Sequence, residues 1–510
     1  MRNSGRVFVG LAGVIAFIIT MGIVRAPAFT DAYYHFNAAN RVVTGLGFTD
    51  AYVWTYIGAV SPLPMPSHLY WMPMTSTLAA LGMAVFNAPD QYWAAQVPLA
   101  ILLWFTAGAA FWLGRRWGGT ERHAWAAGLL TLFSPFFIRF WGATDTFAPY
   151  AAWGSACLLM MGMAMTQPRV WRWGVVGALA GLAHLTRADG VLLLMIAVGF
   201  AVIARLPFRL RAAHVVALIV AYSAMMTPFF ARNLAAIGTP LPLGGTQAIW
   251  FDEYNDIFNF PPDSSPQTLF VKGLDSFIAS RREAFANNAA TLIAVEGVIV
   301  LLPFMLIGGW VRRRDPSTQP FWVYALGLHL AMTFVFPYPG YRGGLFHSSA
   351  ALIPFWSVFA IIGMDSAIDW LARRRRRWRA RHAKYFFTGA AVLLAFGLSV
   401  FYAINGHVPP HTSVPVLYQA LSERLPAASR ILYDDPAELY YFTGFGGATL
   451  PNASPEALLV IAREFDIDYL VLKNDPAASP ASLLTLIESP PNFLVPLDFE
   501  YARLYAFRDR

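Results

Sequence analysis

An acid and an imidazole stand close together soon after the first apolar run of the sequence. Asp31, Tyr34 and His35 have the spacing i, i+3 and i+4, so on a helix they share one face. Thr30 can cap such a helix, and the Asp31 carboxylate then lies at the positive end of the helix dipole. An acid beside an imidazole can transfer protons or bind a metal ion. The same pattern fits an interfacial helix with aromatic rings at headgroup depth, and spacing alone does not decide between the two.

A second acid, Asp145, stands in the segment Trp141–Pro149, at the start of a later apolar run. When the apolar runs are taken as alternating membrane crossings, Asp145 is predicted to lie on the same side of the membrane as Asp31. Two acids at neighbouring helix ends could bind one substrate or share a metal ion. The alternative is that Asp145 only caps the helix that follows it.

Cationic side chains on that same side could hold an anion such as a phosphate. Arg342 and His347 lie in a glycine-containing segment, which permits close approach of the backbone to a ligand. A guanidinium also binds phosphate through two parallel hydrogen bonds, although the segment can equally be a turn whose arginine reaches lipid phosphates. Arg187 and Asp189 lie between two short apolar runs, where such a pair is either functional or a structural salt bridge.

Two further segments combine polar and aromatic residues. Asp252 and Glu253 stand beside aromatic residues, as in surfaces that contact sugars, but the segment can equally be an amphipathic helix on the bilayer. The proline-rich stretch Ser61–Pro73 contains His68 and leads into a short apolar helix. That helix is too short to cross a membrane, so we expect it to be interfacial or re-entrant.

The elements that must position these residues are those of a membrane protein. Of 510 residues, 57% are hydrophobic and 13% are charged, and the mean hydropathy is +0.48. These values exclude an ordinary soluble or disordered chain. The net charge of +8 comes from cations placed between apolar runs, which argues against a nucleic-acid partner. The single cysteine, Cys157, excludes an intrachain disulfide.

Eleven apolar runs are predicted to cross the membrane, and the arginine-rich loops between them all fall on the side of the N-terminus. We therefore expect a multi-pass protein of the cytoplasmic membrane with a cytoplasmic N-terminus. The first run is longer than the roughly 7 to 15 residues of a signal-peptide core, so it is predicted to be an uncleaved helix. The runs are 7–24, 92–113, 124–140, 147–165, 174–187, 190–204, 213–231, 291–311, 320–337, 348–370 and 385–404.

The sequence predicts two domains. Residues 1–404 form an all-α membrane domain with outer loops 25–91 and 232–290, the first of which contains interfacial helices. Apolar runs stop after residue 404, so 405–510 is predicted to be a soluble extracytoplasmic α/β domain. Short strands are expected at 430–433 and 468–472, with a helix at 455–465 between them.

The order of these motifs resembles that of the GT-C superfamily of integral-membrane glycosyltransferases, which includes protein O-mannosyltransferases and aminoarabinose transferases. The resemblance rests on the Asp31 helix, the proline-rich stretch, the arginine loop after the second crossing and Asp145 before the fourth, and it is fullest over 1–235. Several subfamilies have Lys-Pro-Pro after the first loop. This chain has Pro66-Ser67-His68 there, which puts His68 at the place of the phosphate-contacting lysine.

The resemblance implies transfer of a sugar from a polyprenyl-phosphate donor to an acceptor hydroxyl of a glycan, lipid or protein, with inversion at the anomeric carbon. It implies Asp31 as the base and Asp145 as its partner, and a divalent metal, if one is used, would be held by Asp31, Asp145 and His35. Substrate contacts are expected from Tyr34, His35, His68, Arg187, Asp252, Glu253, Arg342 and His347. The residues alone leave a transporter or lipid-linked sugar flippase, or a non-enzymatic scaffold, as alternatives.

Overall fold

The computed structural model describes residues 2–508 except 252, 272, 376–378, 407–413, 475–481, 484–485 and 487–488. The described chain is mostly helical. Its helices are α1 Arg2–Phe17, α2 Thr30–Val43, α3 Met74–Val85, α4 Tyr92–Leu113, α5 Glu121–Leu132, α6 Phe147–Thr166, α7 Val170–Thr186, α8 Val191–Ile203, α9 Phe208–Ile237, α10 Leu243–Gln247, α11 Pro266–Val271, α12 Gly273–Thr291, α13 Leu302–Arg312, α14 Gln319–Leu330, α15 Pro337–Pro339, α16 Leu345–Ser349, α17 Ile353–Arg374, α18 Ala380–Asn405, α19 Val416–Arg424, α20 Pro436–Thr443 and α21 Ala457–Phe465.

Within the described ranges, six helical stretches are long and apolar enough to cross a membrane, and three shorter helices are also apolar. The protein is therefore a multi-pass membrane protein of the predicted, mostly helical class. The number of eleven crossings stays a prediction. The long stretches are Asn3–Ile23, Tyr92–Gly118, Phe147–Thr166, Phe208–Ile237, Pro337–Arg374 and Ala380–Asn405, and the shorter helices are Met74–Val85, Ala188–Ile203 and Leu302–Arg312.

Helix α17 is the central helix of the bundle. Every residue from Ile353 to Met364 is buried, as expected for a helix that is apolar on all sides. Its Gly363 packs against the backbone of α13, where an added Cβ would lie 1.8 Å from the carbonyl oxygen of Phe304. Glycine is therefore needed for these two helices to approach so closely.

The segment between α5 and α6, which carries Asp145, is held by hydrogen bonds next to the residues that follow α1. The side-chain amide nitrogen of Gln96, Nε2, lies 2.7 Å from the carbonyl oxygen of Thr20, 2.8 Å from that of Val24 and 2.7 Å from that of Gly142. A Cβ on Gly142 would lie 2.2 Å from the Thr20 carbonyl oxygen, so only glycine fits there. The same contacts fix the start of the segment that leads into α2.

The strands belong mainly to one sheet outside the helix bundle. They are β1 Thr49–Asp50, β2 Tyr52–Val53, β3 Met65–Pro66, β4 Arg430–Tyr433, β5 Gly446–Thr449, β6 Tyr469–Leu472, β7 Leu494–Leu497 and β8 Arg503–Phe507. Six of them form the order β2-β5-β4-β6-β8-β7. The first four are parallel, and β8 and β7 are antiparallel to their neighbours. The strands expected in the tail are found as β4 and β6, and the expected helix as α21.

Strand β2 comes from the segment 25–91, between the first two long apolar helices, and forms an edge of the sheet that the tail builds. Tyr52 pairs with Gly447, and Val53 pairs with Ala448. The domain boundary expected at residue 404 stays a prediction. The sheet nevertheless joins the tail to the segment 25–91 as one hydrogen-bonded unit.

Candidate active site

Asp31, Asp145 and His347 lie together and form what we call the acid-imidazole cluster. Asp31 is in the first turn of α2, Asp145 precedes α6, and His347 is in α16. Each offers one ligand atom, and these atoms all lie within 4.8 Å of one another. Asp31 is 31% exposed and Asp145 only 1%. Asp31 is therefore the acid of the cluster that a substrate can reach.

The imidazole of His347 has a fixed orientation. Its Nδ1 lies 2.7 Å from the carbonyl oxygen of Gly343. Because a carbonyl oxygen only accepts hydrogen bonds, Nδ1 carries the hydrogen. Nε2 then faces the acids, 3.0 Å from Asp145 Oδ2 and 3.9 Å from Asp31 Oδ2. The ring also stacks on Phe147, with 4.0 Å between the ring centroids.

The two acids have opposite pKa shifts. Burial raises the pKa of Asp31 to about 7, and the neighbouring charge of Asp145 adds to this effect. Burial also acts to raise the pKa of Asp145, but His347, with smaller contributions from His35 and the backbone N–H of Thr146, outweighs it and lowers that pKa overall. Of the two acids, Asp31 therefore holds a proton at the higher pH.

Arg187 places a positive charge beside the cluster. Its Nε is 2.9 Å from Asp189 Oδ1 and 2.8 Å from Ser348 Oγ, and its Nη1 is 3.4 Å from Thr146 Oγ1. Thr146 and Ser348 each directly follow a member of the cluster in the sequence. The ion pair of Arg187 with Asp189 is thus present, and it adjoins the acids.

Arg342 is connected to the cluster by the ring of Tyr254. The guanidinium carbon lies 4.8 Å from the centroid of that ring, a cation–π contact. Burial raises the pKa of Tyr254, the charge of Asp31 raises it further, and Arg342 lowers it. The tyrosine is therefore within electrostatic reach of both Asp31 and Arg342.

Tyr34, His35 and His68 form a buried hydrogen-bond network. His35 Nδ1 lies 2.8 Å and His68 Nε2 2.9 Å from the same oxygen, Ser76 Oγ. The hydroxyl of Tyr34 donates to Asp50 at 2.9 Å and accepts from the backbone N–H of His68 at 2.7 Å. Burial lowers the pKa of His35 to about 4, so this imidazole is neutral at neutral pH.

The expected metal-ligand set requires a correction. The imidazole that shares ligand distance with the two acids in the described chain is that of His347, not His35. His35 follows Asp31 by one turn of α2, and its Nδ1 is hydrogen-bonded to Ser76 Oγ at 2.8 Å. His68, expected at the place of a phosphate-contacting lysine, has its Nδ1 2.8 Å from Ser67 Oγ and its Nε2 against Ser76.

The acidic segment around Glu253 lies at a separate cavity. Glu253 is exposed and forms a capping box with Asp256 at the start of a short helix, Tyr254–Phe258. A cavity of about 360 Å³ lies here, and Asn452 of the tail is among the residues that line it. Asp252 lies outside the described residues.

Trp71 is a residue of the site that the sequence did not reveal. Its side chain acts on Asp31 and lowers the pKa of that carboxyl, and its ring stacks on Tyr34 at 4.1 Å between centroids. Its indole also lies 4.1 Å from the ring of Trp54. The available clue was its place in the proline-rich stretch, just after His68, since an aromatic residue in an outer loop commonly contacts a partner.

One family matches part of the chain. Residues 66–229 match the family described as dolichyl-phosphate-mannose-protein mannosyltransferase. The match covers about a third of the chain and includes Asp145 and Arg187. No curated protein matches the chain.

Solved structures match almost the whole chain. ArnT from Cupriavidus metallidurans, bound to undecaprenyl phosphate, has 14% sequence identity and a TM-score of 0.60 over 98% of this chain and 97% of its own. The archaeal oligosaccharyltransferase AglB from Archaeoglobus fulgidus, in complex with an inhibitory peptide and a dolichol-phosphate, has 13% identity and a TM-score of 0.60 over 92% of this chain and 69% of its own. At these identities the similarity establishes the fold. With the family match, it confirms the predicted resemblance to GT-C membrane glycosyltransferases.

Proposed function

We propose that this protein transfers a sugar from a polyprenyl-phosphate donor to an acceptor hydroxyl of a glycan, lipid or protein. The observation that carries the proposal is the acid-imidazole cluster, in which an accessible acid lies beside a buried acid and an imidazole. The lipid phosphates bound in the ArnT and AglB structures support a donor of this class.

Asp31 is proposed as the general base. Its pKa of about 7 leaves a large ionised fraction at neutral pH, and its exposure lets an acceptor hydroxyl come within hydrogen-bond reach. The hydroxyl oxygen attacks the anomeric carbon as its proton passes to Asp31, and the bond to the phosphate breaks. Attack from the face opposite the phosphate inverts the anomeric configuration.

The leaving phosphate needs positive charge where its negative charge develops. Arg187 adjoins the cluster, and Arg342 lies over the ring of Tyr254, which is within electrostatic reach of Asp31. A planar guanidinium suits a phosphate because it can donate two parallel hydrogen bonds. We assign Arg187 and Arg342 to the phosphate side of the donor.

A divalent cation fits the acid-imidazole cluster. The donor set is two carboxylates and one imidazole, which divalent metals accept. The Nδ1–H of His347 is taken by the Gly343 carbonyl, which leaves Nε2 as the ligand atom, a common arrangement of metal-bound histidines. Asp31, Asp145 and His347 would hold the ion, which when bound polarises a phosphate oxygen and neutralises developing charge.

The site is proposed to face the outside of the cytoplasmic membrane. The cationic loops expected in the cytoplasm meet around a second cavity of about 400 Å³, lined by His123, Arg312, Asp365 and Lys384 among others. Because these loops lie together at one end of the helix bundle, they support the proposal that this end faces the cytoplasm. A reporter enzyme active only in the cytoplasm should be inactive when fused after the last residue.

The test uses purified protein in liposomes supplied with polyprenyl-phosphate sugars and an extract of acceptor glycans, lipids and proteins. Transfer of the labelled sugar with release of polyprenyl phosphate is expected. A flippase would move the donor across the bilayer and leave its sugar–phosphate bond intact. Movement of intact donor without release of polyprenyl phosphate would therefore replace the proposed function with that alternative.

A further inference from the structure

Helix α2 has a second polar face besides the one that carries Asp31. Thr30, Tyr33, Asn37 and Arg41 follow one another at intervals of three, four and four residues, so they form one stripe along the helix. Asp31 is offset from that stripe by about 100° of helical rotation. The two faces therefore serve different neighbours.

The stripe binds helix α20 of the tail. Near its start, Thr30 Oγ1 donates to Asp435 Oδ2 at 2.5 Å. Farther along, Asn37 Nδ2 donates to the carbonyl oxygen of Ala437 at 2.8 Å. Asp435 also accepts from backbone N–H groups at the start of α20, so this one carboxylate holds the N-terminal ends of both helices.

The far end of the stripe is held in the same way. Arg41 Nη1 donates to the hydroxyl of Tyr440 at 2.8 Å. Between the two ends, Tyr33 is 3.4 Å from Glu438 Oε1 and packs against the ring of Tyr441 at 5.1 Å. Contacts with the tail thus extend over three turns of α2.

These contacts are buried, so the polar groups of the stripe need the partners that the tail provides. Tyr33, Asn37 and Arg41 are at most 6% exposed. Buried donors without partners cost about 1 to 3 kcal/mol each, more when charged. Without α20 the stripe would have to turn toward water, and a rotation of α2 would carry Asp31 away from His347.

We propose that the tail domain is part of the catalytic apparatus, because docking of α20 on α2 sets the position of Asp31. Thr30, Asp435 and Tyr440 are positioning residues in this proposal, which rests on the proposed function. The required precision is high, since a displacement of about 1 Å at a reacting group can lower a rate about 100-fold.

The test compares variants of the full-length protein that remove single hydroxyls from the docked face. Thr30→Val and Tyr440→Phe each delete one hydrogen bond without a large change in shape, and the double variant Thr30→Val/Tyr440→Phe removes both ends of the contact. Thr30→Ser keeps the hydroxyl and serves as the conservative variant. Gln419→Ala, on an exposed face of α19 in the same tail domain, is the matched control.

The double variant should lose about tenfold or more in kcat, while KM for the donor stays within about twofold. Backbone amide exchange in residues 30–43 should become faster, whereas exchange in α6 and α17 stays unchanged. Thr30→Ser and Gln419→Ala should behave as the wild type. An unchanged kcat in the double variant, or a lower kcat without faster exchange in α2, would overturn the positioning role alone. A wild-type protein that transfers no sugar would overturn the proposed function and this inference together.

Discussion

The imidazole of His347 lies 3.0 Å from the carboxylate of Asp145, although 202 residues separate them in the sequence. The contact joins α16 to the start of α6, and it is the main interaction that lowers the pKa of an almost fully buried acid. Replacement of His347 would leave a buried carboxylate without its partner, which is costly.

The variant His347→Gln should therefore lose about 100-fold in transfer rate, because an amide can hydrogen-bond to Asp145 but cannot take up and release a proton as an imidazole can. Initial rates with saturating donor measure this loss. His382→Gln, at an exposed position of α18, is the control. A rate within twofold of the wild type would show that the contact with Asp145 is not needed for transfer.

The variant Asp31→Asn keeps the shape of the side chain but cannot take a proton. Transfer should drop by about 100-fold or more, while donor binding survives. Single-turnover assays and equilibrium binding of labelled donor separate the two effects. The exposed acid Asp498 supplies the control variant Asp498→Asn. Full transfer by Asp31→Asn would move the assignment of the base to Asp145.

Arg342 should act on affinity rather than on turnover. Arg342→Ala removes the guanidinium that lies on Tyr254, so the Kd for the donor should rise by about tenfold. Arg342→Lys should restore binding only in part, because an ammonium lacks the planar fork. Arg282→Ala, exposed on α12, should bind donor normally. Equal binding by the Ala and Lys variants would argue against a two-bond phosphate contact.

A metal requirement is predicted from the acid-imidazole cluster. Removal of divalent cations with a chelator should abolish transfer, and one added cation should restore it. Binding of Mn²⁺ to the wild type, followed by electron paramagnetic resonance, should disappear in His347→Gln. Full activity after exhaustive chelation would mean that the cluster works through its own side chains alone.

The buried acid Asp50 should make stability depend on pH. Burial raises its pKa from 3.8 to about 7, and the hydrogen bond from Tyr34 offsets only part of this. Between those two values the folded chain binds a proton that the unfolded chain has released, so the free energy of unfolding falls as pH rises through this window. Above a pH of about 7, the protonation of Asp50 no longer contributes to the free energy of unfolding.

Asp50→Asn keeps an acceptor for Tyr34 and removes this proton linkage. The Tm of the variant, relative to the wild type, should therefore rise by a few degrees between pH 5 and pH 8. Thermal melts in detergent at both values measure it. Asp90→Asn, at an exposed position of the same outer loop, should show the same Tm difference at each pH. If the Tm difference between Asp50→Asn and the wild type were the same at pH 5 and pH 8, the proposed coupling of Asp50 protonation to stability would be wrong.

Local patterns explain what could be predicted from the sequence. Long apolar runs indicate crossings, and the period of the α-helix places Asp31, Tyr34 and His35 on one face. Strands β4 and β6 are short apolar runs, so they were also predictable. Each of these features depends on residues that lie close together in the chain.

Long-range pairing explains what could not be predicted. Strand β2 has two residues, Tyr52 and Val53, which is too short for any periodic pattern. The choice of His347 over His35 beside the acids depends on how α16 packs, which no local spacing encodes. The contact of α2 with α20 joins residues 400 apart in the sequence, as between Asn37 and Ala437, and no local spacing indicates it.

The shared sheet also has a consequence for how the protein is made. Asn37 leaves the ribosome 400 residues before Ala437, the partner of its side-chain amide. At about 5 to 20 residues per second, synthesis of the intervening chain takes roughly 20 to 80 seconds. Until then, strand β2 lacks its partner β5, and the polar stripe of α2 lacks its contacts with α20. By the positioning role proposed for α20, the nascent chain has no fixed place for Asp31 until α20 has been synthesised.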